Sequence, residues 1–181
     1  MVYILLGKGF EEIEAVSPGD ILRRGGVDVR YLGVGGQTVV GAHGIPVTAD
    51  AALCPDMALS GGDVFVVPGG LGGVESIEAD ADAMAVLGRA RDAGALLAAI
   101  CAGPRVLAKM GVLDGRRITC YPGCESWMTG AQPDCSRSTC MDGVLTGRAP
   151  GSAIDFGLAL LAQIAGKATA KRVRAELVYD R

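Results

Sequence analysis

Leu96-Leu97-Ala98-Ala99-Ile100-Cys101-Ala102-Gly103-Pro104 carries more structural information than any other part of this chain. From Ala95 to Ile100 no side chain is polar, which is the pattern of a short strand buried on both faces. The run stops at a cysteine, small residues follow, and Pro104 falls where a first helical turn can do without its N–H. A strand-to-helix turn of this kind presses one side chain out at the end of a sheet, as the nucleophile elbow of serine hydrolases does. Free N–H groups and the positive end of a helix dipole then lie beside the sulfur, and both lower a thiol pKa. A packed core cysteine is the plainer reading, but it leaves the coincidence of turn, helix start and sheet end without a cause.

On both sides of this elbow the chain alternates strands and helices. Val2 to Leu6 predicts a strand, and Glu11 to Arg24 an amphipathic helix closed by Gly25-Gly26, with Pro18 kinking it or marking its effective start. Val27 to Gly33 resumes as a strand. Val39-Val40 and Ile45 to Thr48 predict short strands around a turn at Gly44. Asp63 to Val67 predicts a buried strand, and its exit, Pro68-Gly69-Gly70-Leu71-Gly72-Gly73, a loop. Ala83, Val86, Leu87 and Ala90 repeat at helical spacing. Strands are expected at Arg117 to Cys120, near Ser136 to Cys140, and at Val144 to Gly147. Ser152 with Asp155 forms a capping-box-like start for an apolar helix to Ile164, and Lys167 to Glu176 adds a last helix. The alternation implies right-handed βαβ crossovers and a largely parallel sheet covered on both faces.

Composition narrows the function classes. At 181 residues the expectation is one domain, 1–181, with an aliphatic core, because half the residues are apolar and only 4% aromatic. Lys and Arg total 17 against 20 Asp and Glu, and a net charge of −3 gives no electrostatic case for nucleic acid. With a first strand expected from Val2, no signal peptide is expected before it, and the apolar helix around Phe156 to Ala165 is too short to span a bilayer. A cytoplasmic protein without a membrane partner is the expectation.

Ligands of such sheets gather outside the carboxyl ends of the strands. Three distant pieces arrive there: the Gly7-Lys8-Gly9-Phe10 turn with Glu11, Glu12 and Glu14, the Gly69-Gly70 loop, and Cys101. Together they supply a nucleophile, a carboxyl that can hold or relay a proton, and backbone N–H groups at Gly70 and Ala102 able to stabilise an oxyanion.

Lys8-Gly9-Phe10-Glu11-Glu12-Ile13-Glu14, Asp63-Val64-Phe65-Val66-Val67-Pro68-Gly69-Gly70, the Cys101 elbow and Gly147-Arg148-Ala149-Pro150-Gly151 occur in the order found in the ThiJ/PfpI superfamily. The chain resembles, more narrowly, the branch of the parkinsonism-associated protein deglycase (DJ-one) and its bacterial relatives, from Val2 to about Val178. That resemblance implies an α/β, flavodoxin-like three-layer sandwich with a mostly parallel central sheet and a nucleophile elbow, in a homodimer. By position, Cys101 matches the family's reactive cysteine, Glu14 its partner glutamate, and Gly70 and Ala102 the oxyanion-side backbone. Two close negative groups do not both ionise cheaply, so Cys101 and Glu14 are expected to share one proton. Glu11 and Glu12 carry no such match and read as solvated or helix-start charges.

The chain also departs from the family pattern. Tyr121, in Thr119-Cys120-Tyr121-Pro122-Gly123, stands where the human member has a histidine, and Leu71 replaces an asparagine common after the glycine pair. Tyr121, with a phenol pKa near 10, orients a substrate oxygen at most. The peptidase branch needs a histidine directly after its cysteine, and here that residue is Ala102; His43, the sole histidine, reads as a turn or interface residue. Cys120, Cys124, Cys135 and Cys140 do not follow a structural zinc spacing, so no metal is expected, and Cys135 and Cys140 would point to opposite faces of one strand. Cys54 aligns with a family cysteine near the dimer contact. Gly7-Lys8-Gly9 lacks the third glycine of a dinucleotide fingerprint, and no Walker lysine is present.

The expected function is a cofactor-free thiol enzyme, not a peptidase, acting on small reactive carbonyls. The resemblance implies conversion of methylglyoxal or glyoxal to hydroxyacids, or deglycation of early adducts, through a Cys101 hemithioacetal with Glu14 shuttling a proton. The rival class is a non-enzymatic peroxide sensor or redox-regulated chaperone working through a Cys101 sulfinate.

Overall fold

A computed structural model of the chain describes residues 1–134, 136, 138–141 and 143–180. The strands and helices alternate as the sequence pattern requires. In chain order they are β1 (Val2–Leu6), α1 (Glu12–Arg24), β2 (Val29–Gly33), β3 (Thr38–Val40), β4 (Pro46–Thr48), β5 (Ala51–Ala52) and β6 (Val64–Val67). Then come α2 (Leu71–Ala79), α3 (Ala81–Asp92), β7 (Leu96–Ile100), α4 (Pro104–Lys109), β8 (Arg117–Ile118) and β9 (Gln132–Pro133). The chain closes with β10 (Ser138–Met141), β11 (Val144–Gly147), α5 (Ala153–Ala165) and α6 (Lys167–Glu176).

Seven strands form the central sheet in the order β10-β11-β7-β6-β1-β2-β5, and only β10 runs antiparallel to its neighbour. The all-buried runs Val64–Val67 and Leu97–Ile100 occupy its centre, where both faces are covered. Helix α1 packs on α5 and α5 on α6, while α2 packs on α3 and α4, giving two separate helix groups about the sheet. This is the flavodoxin-like arrangement that the family resemblance implies, with the largely parallel sheet expected from the strand-helix alternation. From β1 the chain goes to β2 on one side, whereas β6 and β7 lie on the other, so the strand order reverses between β1 and β6. A crevice at the carboxyl ends opens at such a reversal. The neighbouring strands β7, β6 and β1 therefore deliver Cys101, Gly69-Gly70 and the Gly7–Glu14 segment to one place.

Several expectations are corrected. The loop from Pro68 to Gly73 is short, because α2 begins at Leu71. Gly72 and Gly73 are there for close packing rather than for flexibility: a Cβ at Gly73 would stand 2.6 Å from Phe10 Cα and 2.8 Å from its N. Helix α1 starts at Glu12 and runs through Pro18, whose missing N–H deprives the Glu14 carbonyl of its usual i+4 donor. Strand β2 begins at Val29 rather than Val27, and β5 has no sequence signal beyond two alanines. Cys120 is buried but lies past the end of β8, which pairs with β9 in a separate two-stranded ribbon. Ser152 does not cap α5; its hydroxyl accepts from Ala149 N (3.1 Å) and donates to Ala149 O (2.9 Å), and Asp155 accepts from the Tyr179 hydroxyl (3.0 Å). Cys135 lies outside the described residues, and Cys140 falls on β10. Among the described residues, no helix is long and apolar enough to cross a membrane.

The contact of Gly73 with the Phe10 backbone fixes the first loop against the second. Gly73→Ala is expected to destabilise the fold by about 1–3 kcal/mol, the usual range for overpacking, because backbone rather than a pliable side chain blocks the added methyl. Chemical denaturation of the two proteins under identical conditions checks this; an unchanged midpoint would sink it.

Candidate active site

Strand β7 ends at Ile100, and the next residue turns sharply. Cys101 adopts φ +65°, a left-handed conformation that a non-glycine residue holds at a cost of about 1–3 kcal/mol. The turn is pinned on every side by backbone bonds. Cys101 N donates to Gly147 O (2.9 Å), Gly103 N to Ile100 O (2.8 Å), and Tyr121 N to Cys101 O (2.9 Å). The elbow expected from the sequence is thus present, but its side chain is not thrust into solvent: Cys101 is only 7% exposed.

Glu14 meets it from the first turns of α1. Its side chain is fully buried; Oε2 accepts from Gly69 N (2.8 Å), the carboxyl hydrogen-bonds the Cys101 thiol, and Oε1 is buried without a partner. Burial is the main reason that the carboxyl is pushed up to about 7, and the negative charge of Glu11 adds to the effect. The hydrogen bonds from Cys101 and Gly69 oppose it. Gly69 is what allows the approach: a Cβ there would sit 2.6 Å from Cys101 Cβ and 2.9 Å from its Sγ. Gly70, at φ +83°, turns the chain so that its N–H reaches the sulfur, and Ala102 supplies a second N–H from the elbow itself.

The electrostatic sign at the thiol is the reverse of the one expected from the helix start. Burial, then the charge of Glu14 and the hydrogen bond to it, raise the Cys101 pKa far above that of a free thiol. The N–H groups of Ala102 and Gly70 lower it, but by less. Helix α4 is only six residues long, so its dipole is a weak counterweight. Cys101 and Glu14 therefore rest as a neutral, hydrogen-bonded pair below about pH 7, above which Glu14 ionises first.

The remaining candidates fall into place around this pair. Tyr121 is tied to the elbow through its backbone, with its side chain 46% exposed. His43 belongs to a different contact: its Nδ1 lies 2.8 Å from Glu12 Oε2, and its backbone N donates to Glu12 Oε1 (2.8 Å). Glu11 and Glu12 are consequently not solvated charges; both are buried, one as the cap of α1 and the other inside the turn between β3 and β4. Among the described residues, Glu11, Glu12 and His43 are the group with metal-ligand spacing, their donor atoms all within 4.8 Å. Glu11 Oε2 is already engaged by Glu14 N, and both Glu12 oxygens by the turn. Cys120 and Cys124 are buried free thiols, burial pushing Cys120 up to about 11, and Cys54 is exposed. Leu71 opens α2 with its side chain half exposed. The sequence places the Gly69-Gly70 loop and Glu11 at this end of the sheet but assigns Gly69 no role of its own and reads Glu11 only as a solvated or helix-start charge. The Glu11-x-x-Glu14 spacing was the available signal for its cap.

A strand-end cysteine in a left-handed elbow, hydrogen-bonded to a buried carboxylic acid and faced by two backbone N–H groups, defines a flavodoxin-like protein with a thiol–acid centre. The chain belongs to the DJ-1/PfpI family, whose model matches residues 1–163. It is 35% identical to Protein dj-1beta of Drosophila melanogaster over 173 residues, covering 94% of this chain and 92% of the other. It is 33% identical over 158 residues to a glutathione-independent glyoxalase, DJR-1.2, of Caenorhabditis elegans, covering 86% of this chain and 83% of the other. Among solved structures, a mutant of the DJ-1 superfamily protein STM1931 from Salmonella typhimurium superposes with a TM-score of 0.92 at 31% identity, covering 99% of this chain and 98% of that one.

The buried acid has a consequence for stability. A carboxyl raised from 4.5 to about 7 keeps its proton in the folded state over that window, while the unfolded chain releases it. Stability contributed by this group is therefore fully present below pH 4.5 and lost as the pH rises to about 7. Glu14→Gln should abolish that slope and be more stable than wild type at pH 8 by roughly 3 kcal/mol or less. Urea denaturation at pH 5 and pH 8 measures it, and a Glu14→Gln protein that is less stable at pH 8 would contradict the assignment.

Proposed function

We propose that this protein is a cofactor-independent enzyme that converts small 1,2-dicarbonyls, such as methylglyoxal and glyoxal, to hydroxyacids, with Cys101 as nucleophile and Glu14 as proton carrier. The observation that carries this reading is the buried, hydrogen-bonded pair of Cys101 and a carboxyl pushed up to about 7. An acid of that pKa can both give and take a proton near neutral pH. The glyoxalase name borne by the Caenorhabditis elegans relative supports the class of reaction.

The chemistry balances without a cofactor. In the form with Glu14 ionised, Cys101 Sγ adds to the aldehyde carbon, and the thiol proton passes through Glu14 to the aldehyde oxygen, giving a hemithioacetal and a Glu14 carboxylate once more. The resulting alkoxide character is met by the N–H groups of Gly70 and Ala102. Glu14, now a carboxylate, removes the proton from the former aldehyde carbon. It returns that proton to the adjacent carbon while the hemithioacetal hydroxyl proton passes to the former ketone oxygen, so that the former ketone becomes a secondary alcohol and the sulfur-bound carbon a thioester. Water cleaves the thioester, releasing the hydroxyacid and restoring the thiol. Overall, one dicarbonyl and one water give one hydroxyacid, with no external oxidant. Deglycation of early adducts would begin with the same attack by Cys101 on a carbonyl-derived carbon. His43 takes no part, since its ring is committed to Glu12, and Tyr121 contributes at most a hydroxyl to orient substrate.

We also infer that the protein works as a homodimer in the cytoplasm. Ile13 and Val16 on α1 and Val40 and Ile45 on the adjoining hairpin are 44–54% exposed and form an apolar strip beside the site, suited to a second copy.

Lactate formation from methylglyoxal is the decisive assay. Cys101→Ser should lose at least about a thousandfold in turnover and Glu14→Gln about a hundredfold or more, whereas Tyr121→Phe should lose less than about tenfold. Turnover that survives Cys101→Ser ends the proposal. Addition of two oxygens to Cys101 by mild peroxide, with negligible lactate from wild type, would instead establish the sensor reading.

A further inference from the structure

The pair of Cys101 and Glu14 is set by a third acidic residue that the proposed reaction does not use. Glu11, only 7% exposed, closes a circuit of three hydrogen bonds. Its Oε2 accepts from Glu14 N (2.8 Å), its own N donates to Gly69 O (2.9 Å), and Gly69 N donates to Glu14 Oε2 (2.8 Å). The cap of α1, the glycine loop after β6 and the buried acid are thereby locked into one unit. A helix start does not ask for glutamate: serine, threonine, aspartate and asparagine cap better, and the neutral ones do so without placing charge beside a buried carboxyl. The other oxygen of Glu11 reaches no closer than 4.0 Å to His43 Nδ1, and that ring is already paired with Glu12 at 2.8 Å. The charge of Glu11 is thus left to act on its neighbours.

We propose that Glu11 is a positioning residue for this centre, holding the Glu14 carboxyl against Cys101 and, by its negative charge, favouring the protonated pair. The inference rests on the reading of Cys101 and Glu14 as the reactive pair. The titratable groups facing Glu14 are Cys101 from the β7–α4 elbow and Glu11 from its own helix, and the β3–β4 turn brings the Glu12–His43 pair to the outer side of Glu11. A purely structural cap would act through its hydrogen bond alone. A residue acting through its charge moves the proton affinity of the pair even when the hydrogen bond is kept.

The test is the pH dependence of iodoacetamide alkylation at Cys101, followed by peptide mass mapping, which needs no turnover. In wild type the rate should rise with a midpoint near pH 7, where Glu14 becomes a carboxylate able to take the thiol proton as sulfur is alkylated. Glu11→Gln keeps an acceptor for Glu14 N and removes the charge; its midpoint should fall by about one pH unit. Glu11→Ser, a good neutral cap, should shift it in the same direction, so a poorly folding Gln variant does not spoil the test. Glu11→Asp keeps both the charge and the capping ability, and should return the midpoint to within a few tenths of a unit of wild type. Profiles of Glu11→Gln and Glu11→Ser that superimpose on wild type overturn the proposal, as does an Asp variant shifted as far as the neutral ones. A wild type that makes no lactate would end the enzyme reading while leaving this result intact.

Discussion

That Glu14 and Cys101 do not both give up their protons is the constraint around which this molecule is arranged. Two anions side by side in a site that water barely reaches would each lose solvation and repel the other, a penalty of several kcal/mol. Keeping one proton on the pair avoids that cost and turns the repulsion into a hydrogen bond. The two groups come from sequence positions 14 and 101, on either side of the point where the strand order reverses. Only a parallel sheet with β1, β6 and β7 adjacent brings their ends together, and the site is in that sense a property of the strand order.

The glycines serve the same end. Gly69 has to lack a side chain because Glu14 and Cys101 occupy the space that its Cβ would take. Gly70 has to accept a positive φ so that its N–H faces sulfur, while Cys101 itself carries the strain of a left-handed elbow. Strain of this kind persists only where the surroundings over-determine it. Here the bonds from Cys101 N to Gly147 O and from Tyr121 N to Cys101 O hold the residue from both sides.

Much of this was legible in the sequence because burial on both faces writes itself as an unbroken apolar run. Leu96–Ile100 and Val64–Val67 declared themselves in that way, and the small residues with Pro104 marked the elbow. The start of α2 was hidden by glycines at positions 70, 72 and 73, which mimic a loop although two of them serve close packing against Gly9 and Phe10. The burial of Glu11 and Glu12 was equally hidden, since their partners, Glu14 N and the turn at His43, depend on a hairpin folding back onto α1. The sign of the thiol shift failed for a related reason. A helix start and two N–H groups can be read from local sequence, but desolvation by the whole fold cannot, and desolvation is the larger effect.

A neutral resting pair also bears on which chemistry the centre favours. Peroxide reacts with thiolates, so a thiol held protonated by burial and a neighbouring acid is a poor peroxide trap. A carbonyl substrate differs in one respect: as sulfur attacks, its oxygen becomes a base and can take the displaced proton in the same event. The Glu14 carboxyl lies on that path, and the N–H groups of Gly70 and Ala102 face the sulfur where the new oxyanion forms. The high thiol pKa then does not work against the reaction, because a free thiolate never has to accumulate. Under the proposed reaction it would favour electrophiles that bring their own proton acceptor over those that demand a naked sulfur.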